Sequence, residues 1–325
     1  MRVDTLRADF HHGSMPPLSA DTIELLRAAI QTGLSARGLP DRGAPAELAE
    51  AAAVLRSARS VVMTTGFCIP ATMTGETDGP PGAAVLAAAL ARRGTTVHLV
   101  TDQFSVELVR ACLSVLGVNA AAPGVTVSEV PYLDAQDWCR DLFVRVRPDV
   151  VVAVERPGAA ADGRPYSMRG EVLSAVSADT DTLFTEAQRL AIPTIAVGDG
   201  GNELGMGRIR NLVLAGVPLG TLISAETVAD IVVTARISNW GAYAIVALLG
   251  LPAGPPLLHT PEQEEALLRT VADLGGVDGV SLRAEPTVDG VSLEANRDLV
   301  GLLGRIVSPL RSREWGGCGG QSPTQ

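Results

Sequence analysis

Short, unbroken apolar runs alternate with longer alanine- and leucine-rich segments along most of this chain, and that alternation restricts its fold more than any other feature. Ser60–Thr65, Thr96–Thr101, Asp149–Val154, Pro193–Val197 and Asp230–Ala235 are such runs, rich in β-branched residues and bounded by polar residues, proline or glycine. A strand that is apolar on both faces is covered on both faces, as in a parallel sheet lying between helical layers. Helices are expected between the runs, over Asp21–Thr32, Pro45–Ser57, Pro81–Arg93, Ser105–Leu116, Ala135–Val146, Asp179–Leu190, Gly241–Leu249, Pro261–Asp273 and Leu293–Ile306. Pro45, Pro81 and Pro261 suit a first helical turn, where the missing N–H removes no bond. The repeated strand–loop–helix order predicts an α/β fold. Its sheet is mostly parallel and covered by helices on both faces, a three-layer sandwich with right-handed crossovers. Residues 20–311 are expected to form that domain, with residues 1–19 and 312–325 as loose tails.

Composition removes several classes of function. The 325 residues carry a formal net charge of −10, and the basic residues are scattered singly. Nucleic-acid backbones need clustered cations, so no nucleic-acid partner is expected. All 26 basic residues are arginine. Without lysine there is neither a Schiff base for pyridoxal phosphate nor a P-loop lysine. Apolar residues make up 46% of the chain, yet no run approaches the roughly 18–20 needed to span a bilayer. A soluble protein without a membrane partner is expected. Cys68, Cys112, Cys139 and Cys318 form no C-x-x-C pair, and the N-terminus lacks a signal-peptide core. Both features fit the cytoplasm. The lysine-free, alanine-rich composition points to a GC-rich bacterial genome. A second copy of the chain, as a homodimer, is the one macromolecular partner left open.

In open α/β sheets ligands bind beyond the carboxyl ends of the strands, and the unusual residues of this chain collect there. After the first run comes Gly75-Glu-Thr-Asp-Gly-Pro-Pro-Gly82, with Glu76 and Asp78 in a rigid frame. Asp78 is equally readable as a cap for the helix near Pro81. After the third run comes Glu155-Arg-Pro-Gly-Ala-Ala-Ala-Asp-Gly-Arg164, which presents Glu155, Arg156 and Asp162. The plainer alternative is an ion pair in a surface loop, but Glu155 directly continues an apolar strand, where a carboxylate must be solvated, paired or functional. After the fourth comes Gly198-Asp-Gly-Gly-Asn-Glu-Leu-Gly-Met-Gly207. Its glycines lack Gly-x-Gly-x-x-Gly spacing, and Asp199 and Glu203 would repel a phosphate, so a nucleotide cradle is a poor reading. The glycines instead bend the chain so that Gly200, Gly201 and Asn202 face a pocket with those carboxylates. After the fifth comes Arg236-Ile-Ser-Asn-Trp-Gly-Ala-Tyr243. Here Ser238 and Asn239 offer polar orientation and Trp240 an apolar wall, or else a cap and a core residue. An oxygen-rich, His-poor and Cys-poor set of this kind suits a hard ion such as Mg²⁺ or Mn²⁺, or a carboxylate acid/base pair.

The motifs TGF…ETDGPPGA, VERPGAAADGRPY, GDGGNELGMG and SNWGAYA, in this order, resemble the C-terminal domain of the D-glutamate cyclase family. The similarity extends through Asp278-Gly-Val-Ser-Leu-Arg-Ala-Glu-Pro-Thr-Val-Asp-Gly290 and covers roughly residues 45–305. The resemblance implies a lyase that dehydrates free D-glutamate to 5-oxo-D-proline without ATP or an organic cofactor. Arg208 departs from the pattern, since relatives often carry lysine there. A carboxylate is a poor electrophile, so lactam formation needs its oxygens protonated or bound by a Lewis acid, and the ammonium must lose protons to a base. Asp199 and Glu203 are expected at the reacting centre, with Glu76 and Glu155 as further catalytic groups and Asp78 completing the cluster. Glu76, Asp78, Asp199 and Glu203 are the expected ligands of any metal. Arg156 or Arg236 is expected to hold the substrate's α-carboxylate. Asp162, Gly200, Gly201, Asn202, Ser238, Asn239 and Trp240 complete the expected substrate contacts. Two other readings remain: an enzyme of secondary metabolism that forms or opens a lactam on another substrate, and a binding protein for glutamate-like ligands.

Overall fold

A computed structural model describes residues 19–41, 43–118, 124–251 and 256–312, without the side chains of 309–312. The expected tails therefore lie outside the described residues, apart from Ser19, which caps the first helix, and Ser312, which ends the last. In chain order, helices α1 (Ala20–Gln31) and α2 (Leu48–Ser57) precede strand β1 (Ser60–Thr65). A small hairpin, β2 (Cys68–Ile69) and β3 (Thr74–Gly75), leads to α3 (Pro80–Arg92), β4 (Thr96–Thr101) and α4 (Val106–Val115). There follow β5 (Val125–Glu129), α5 (Ala135–Val146), β6 (Val150–Val154), α6 (Asp181–Arg189) and β7 (Thr194–Gly198). Two short helices, α7 (Arg210–Gly216) and α8 (Gly220–Ile223), come before β8 (Ile231–Thr234). Helices α9 (Ser238–Leu249), α10 (Pro261–Asp273) and α11 (Leu293–Ser312) complete the described chain. No described helix is long and apolar enough to cross a membrane.

Six strands form one sheet in the order β5-β4-β1-β6-β7-β8, and every neighbouring pair is parallel. Alternate side chains enter opposite layers. Val61 and Met63 of β1 join the core under α2, α3 and α9, whereas Val62 packs with Leu142 and Phe143 of α5. In β7, Ile195 and Val197 face the first layer while Ala196 packs with Phe184, Leu204 and Met206 on the other face. The sheet is thus apolar on both sides, as the continuous runs require, and helices cover both faces.

Two differences from the sequence reading have simple causes. Strand β5 was not expected, because as an edge strand paired only with β4 it is part-exposed and lacks a continuous apolar run. Helix α2 begins at Leu48 rather than Pro45, because the chain from Pro45 to Glu47 first runs along the free edge of β8. Thr234 N donates to Pro45 O (2.9 Å) and Glu47 N to Val232 O (3.0 Å), which covers an otherwise open edge.

The strand order reverses between β1 and β6, so the crevice that ligands use in such folds lies beyond their carboxyl ends. Helices α3 and α9 both start at that edge. They pack closely because Ala83, Ala84, Ala87 and Ala88 of α3 meet a helix carrying Gly241, Ala242 and Ala244. A Cβ on Gly82 would stand 2.8 Å from Asn239 Cα, so only glycine allows this approach. The N-cap positions, Gly79 and Ile237, have no side chain able to cap, and each helix is capped by the other's loop. Asp78 accepts from Ser238 N and Asn239 N (2.8 Å each). Asn239 Oδ1 accepts from Gly79 N (3.0 Å) and Gly82 N (2.6 Å), and its Nδ2 donates to Thr77 O (3.0 Å). An Asn239→Leu substitution orphans these buried groups. At about 1–3 kcal/mol for each unsatisfied buried group, urea unfolding is expected to show a loss of about 2–5 kcal/mol. A midpoint equal to the wild type's would show that the reciprocal caps do not hold the two helices together.

Candidate active site

Carboxyl groups from four separate loops converge beyond this edge. Glu76 and Asp78 follow the β2–β3 hairpin beyond β1, Glu155 directly follows β6, and Asp199 and Glu203 lie in the glycine-rich loop after β7; all are buried. Asp289 joins them from the loop before α11. That loop docks by Val277, whose carbonyl accepts from Thr77 N (2.8 Å). Asp278 holds the loop's shape by accepting from Val280 N, Ser281 N and Gly290 N, each at 2.8 Å, and from the Thr287 hydroxyl. Gly279 packs against Glu76 and Asp289, and a Cβ there would meet Glu76 Oε2.

The carboxylates are not alike. Glu203 accepts from the backbone N–H groups of Asp199, Gly200 and Gly201 at 2.9, 2.6 and 2.6 Å, so both its oxygens hold the loop together. Asp78 is the cap of α9. Glu155 adopts a positive φ of 43°, a costly conformation for a side chain with a Cβ, and accepts from the Ser238 hydroxyl at 2.5 Å. Glu76 has no side-chain hydrogen bond among the described residues. Asp199, fully buried, accepts from Arg37 Nη2 at 2.6 Å through Oδ1, while Oδ2 has no partner.

Arg37 belongs to a 3₁₀ turn, Leu34–Arg37, flanked by Gly33 and Gly38, both at positive φ. Leu34 anchors the turn in the core, and Asp41 caps it by accepting from Ser35 N at 2.6 Å. Gly38 lies against Gly216, where a Cβ would be 2.6 Å from the Gly216 carbonyl oxygen. Arg37 Nη1 is 3.6 Å from Asp289 Oδ2. Burial works against its charge, but Asp199, Asp289 and Glu155 outweigh that and hold the guanidinium protonated.

Burial, reinforced by neighbouring carboxylates, raises the proton affinity of Glu76, Asp78, Glu155 and Asp199. It pushes Asp78 up to about 7 despite the N–H groups that favour its charged form. Burial lifts Glu76 and Glu155 well above the carboxylate range, with Asp289 and Asp199 respectively adding to the effect. Asp199 is raised by burial too, and Arg37 opposes the rise. The oxygens of Asp78, Asp199 and Asp289 lie within 4.8 Å of one another, as do those of Glu155, Asp199 and Glu203. Asp199 is common to both groups, whereas the expected metal set of Glu76, Asp78, Asp199 and Glu203 is not one group.

Several expected contacts are placed elsewhere. Arg156 is fully buried, and its partners lie outside the cluster. It donates to Asp102 (2.5 Å), Ala178 O (2.6 Å), Thr180 Oγ1 (3.0 Å) and Gly66 O (3.2 Å), none of them a carboxylate of the cluster. Asp162 is exposed and paired with Arg164 and Tyr166 in a surface loop, the plainer of its two readings. Trp240 donates to Asn296 Oδ1 at 2.8 Å, tying α9 to α11. Asn202 donates to Tyr166 O at 2.8 Å, and Gly200 lies against Met168. Gly201, at φ 89°, packs on Val213 and offers its N–H to Glu203. Ser238 and Asn239 are in the first turn of α9, which starts earlier than the expected Gly241 because its cap is supplied by Asp78. Arg208 pairs with Glu47 (2.7 Å) at the covered edge of β8. Arg37 and Asp289 are functional candidates that sequence reasoning missed. The glycines around Arg37 were its only signal, and Asp289 lay unremarked within the Asp278–Gly290 motif.

Fold and site together define a three-layer α/β protein with a buried carboxylate centre at its strand ends. The chain belongs to the D-glutamate cyclase-like family: the family model described as D-glutamate cyclase-like, C-terminal, matches residues 26–304. It is 33% identical over 264 residues to the human (Homo sapiens) protein D-glutamate cyclase, mitochondrial. That alignment covers 74% of this chain and 42% of the human protein, so the chain spans less than half the length of that relative. A solved exopolyphosphatase-related protein from Bacteroides fragilis matches 81% of this chain and 60% of its own at 9% identity, with a TM-score of 0.39, too slight a likeness to bear on fold or function.

A carboxyl group that binds its proton more tightly when folded makes stability fall as pH rises between its unfolded and folded pKa values. For Asp78 that window opens near the ordinary value of about 4 and closes at about 7. The melting temperature is therefore expected to be lower at pH 8 than at pH 5.5. Glu76→Gln, which removes a raised carboxyl without removing a hydrogen bond, is expected to shrink that drop by a few degrees at about 2–4 °C per kcal/mol. A melting temperature that rises over the same interval would contradict the assignment.

Proposed function

We propose that the chain is a carbon–oxygen lyase that closes a glutamate-like amino acid to its five-membered lactam, with D-glutamate to 5-oxo-D-proline as the reference reaction. The carrying observation is the cluster around Asp199, where carboxyl groups of raised proton affinity stand beside a protonated Arg37. Family membership supports the same chemistry.

The proton inventory of the reaction suits such a site. The substrate amine enters as an ammonium with three protons, and the lactam nitrogen keeps one. The other two leave with a side-chain carboxylate oxygen as water, while a C–N bond forms and a C–O bond breaks. Two protons must therefore travel from nitrogen to oxygen over a few ångströms. A carboxylate beside the nitrogen accepts, and a carboxylic acid beside the leaving oxygen donates. Burial and mutual repulsion keep part of this cluster protonated near neutral pH, which allows members of one set to take both roles. Asp199, with a free oxygen, is the proposed base. Glu155, hydrogen-bonded by Ser238, and Glu76 are the proposed acids.

Asp78, Asp199 and Asp289 support a second reading of the same site. Their all-oxygen donor set suits Mg²⁺ or Mn²⁺, and Asp199 Oδ2 is a buried acceptor without a partner. Such an ion would supply Lewis-acid polarisation of the side-chain carboxyl.

Purified protein incubated with D- or L-glutamate is expected to yield 5-oxoproline, detected by chiral chromatography and mass spectrometry. Asp199→Asn is expected to lower turnover by about 10²–10⁴-fold, the range for loss of a general base. Wild-type-like turnover in that variant would remove Asp199 from the chemistry. Activity lost on chelation and restored by Mn²⁺ would favour the metal reading, and activity indifferent to chelator the proton-only one.

A further inference from the structure

An α-amino acid carries a cation and an anion on one carbon, and the deepest part of this cluster carries the matching pair. Arg37 and Asp199 are joined at 2.6 Å, with Arg37 on the outer side (16% exposed) and Asp199 beneath it (0%). Neither partner is saturated. Arg37 Nε and Asp199 Oδ2 are buried without a hydrogen-bond partner. Arg236 Nη1 is also buried and unpartnered, and its Nη2 reaches the carbonyl of Asp289, whose carboxylate faces Arg37. The other guanidinium expected to hold a substrate, Arg156, has its donors engaged away from the cluster.

We propose that Arg37 is the specificity-determining residue of this site. On binding, its guanidinium turns from Asp199 to the substrate's α-carboxylate while Asp199 takes the α-ammonium, so that one internal ion pair is exchanged for two to a zwitterion. Arg236 supplies a second donor to the same carboxylate. The proposal rests on the reading of the site as one for glutamate-like acids, and it adds how the α-carbon end is recognised. Leu34 in the core, Asp41 on Ser35 and Gly38 against Gly216 hold the backbone of the turn, so the exchange needs only rotation of the Arg37 side chain. A simple amine leaves Arg37 unmatched, and a diacid without an amine leaves Asp199 unmatched. The site therefore selects α-amino acids over both.

Calorimetry on the full chain with D-glutamate and with 4-aminobutyrate, which keeps the amine and the distal carboxylate but lacks the α-carboxylate, tests this directly. The wild type is expected to prefer glutamate by about 10–100-fold, the worth of a charge-assisted hydrogen-bonded pair. In Arg37→Gln that ratio is expected to fall to within about threefold of unity, and Arg37→Lys, which keeps the charge and is the gentler change for folding, is expected to fall between. The ratio is the readout because a merely structural role for Arg37 weakens both ligands together. An unchanged ratio in both variants, or no binding of glutamate to the wild type, overturns the proposal. The two levels separate cleanly. Glutamate bound with a collapsing ratio but never cyclised sinks the lyase reading alone, and cyclisation with an Arg37-independent ratio sinks this one alone.

Discussion

A carboxylate removed from water must find donors, a cation or a proton, and at the carboxyl edge of this sheet Glu76, Asp78, Glu155, Asp199, Glu203 and Asp289 face that demand together. The structure answers it in two ways. Asp78 and Glu203 are satisfied by backbone N–H groups, three for Glu203 and those of Ser238, Asn239 and Gly79 for Asp78. They shape the site. Glu76, Glu155 and Asp199 have fewer donors and stay close to their neighbours, so their need is met by Arg37, by a hydroxyl and by retained protons. The same shortage of donors that makes these groups costly to bury makes them able to exchange protons.

That arrangement depends on how near two helices approach. Alanines on α3 and small residues on α9 bring both N-termini to the cluster, where their partial positive charge lies beside the carboxylates. With a larger residue at Gly82 the helices would separate, Asp78 would lose the N–H groups of α9, and another unsatisfied carboxylate would join the cluster. Gly241 acts likewise at the sheet, since a Cβ there would stand 2.6 Å from Val197 Cγ1. Core packing and site electrostatics are therefore one problem in this protein. The composition of α3, which resembles filler in the sequence, sets how many charges the active edge can hold.

How much of this was legible in the sequence follows from the range of each interaction. The apolar runs of β1, β4, β6, β7 and β8 are local patterns, and so are the helices at Ala135–Val146 and Pro261–Asp273, found with the expected bounds. The edge strand β5 lacks the run because one of its sides has no neighbour. The strand-end rule correctly gathered Glu76, Asp78, Glu155, Asp199 and Glu203, because loops after adjacent parallel strands must emerge together. Their individual partners were not legible. Asp78 was read as a possible cap for the helix beside it, yet it caps one 160 residues away. Arg156 was read as a substrate contact or a surface-loop ion pair because its buried partner, Asp102, follows a strand whose place in the sheet order no local pattern reveals. Arg37 comes from a turn ahead of the first strand, outside the rule altogether.

The glycine-rich loop after β7 shows how a reading from charge alone can rest on an incomplete picture. Its carboxylates argued against a phosphate cradle, yet successive N–H groups of Asp199, Gly200 and Gly201 do converge on an anion, as they do in anion-binding nests. The anion is the loop's own Glu203. Gly201 must be glycine for its left-handed φ of 89°, and Gly198 because a Cβ would meet Met206 and the Glu203 carboxyl. With its nest filled from within, those three N–H groups are committed to Glu203 rather than free for a phosphate, and Asp199 Oδ2 is left as a buried side-chain acceptor without a partner. The unmatched oxygen of a loop built this way suits a cation better than a phosphate. Glu203 thus serves Asp199 by fixing the backbone on which it stands, and of the two carboxylates in one decapeptide Asp199 alone keeps a buried oxygen without a partner.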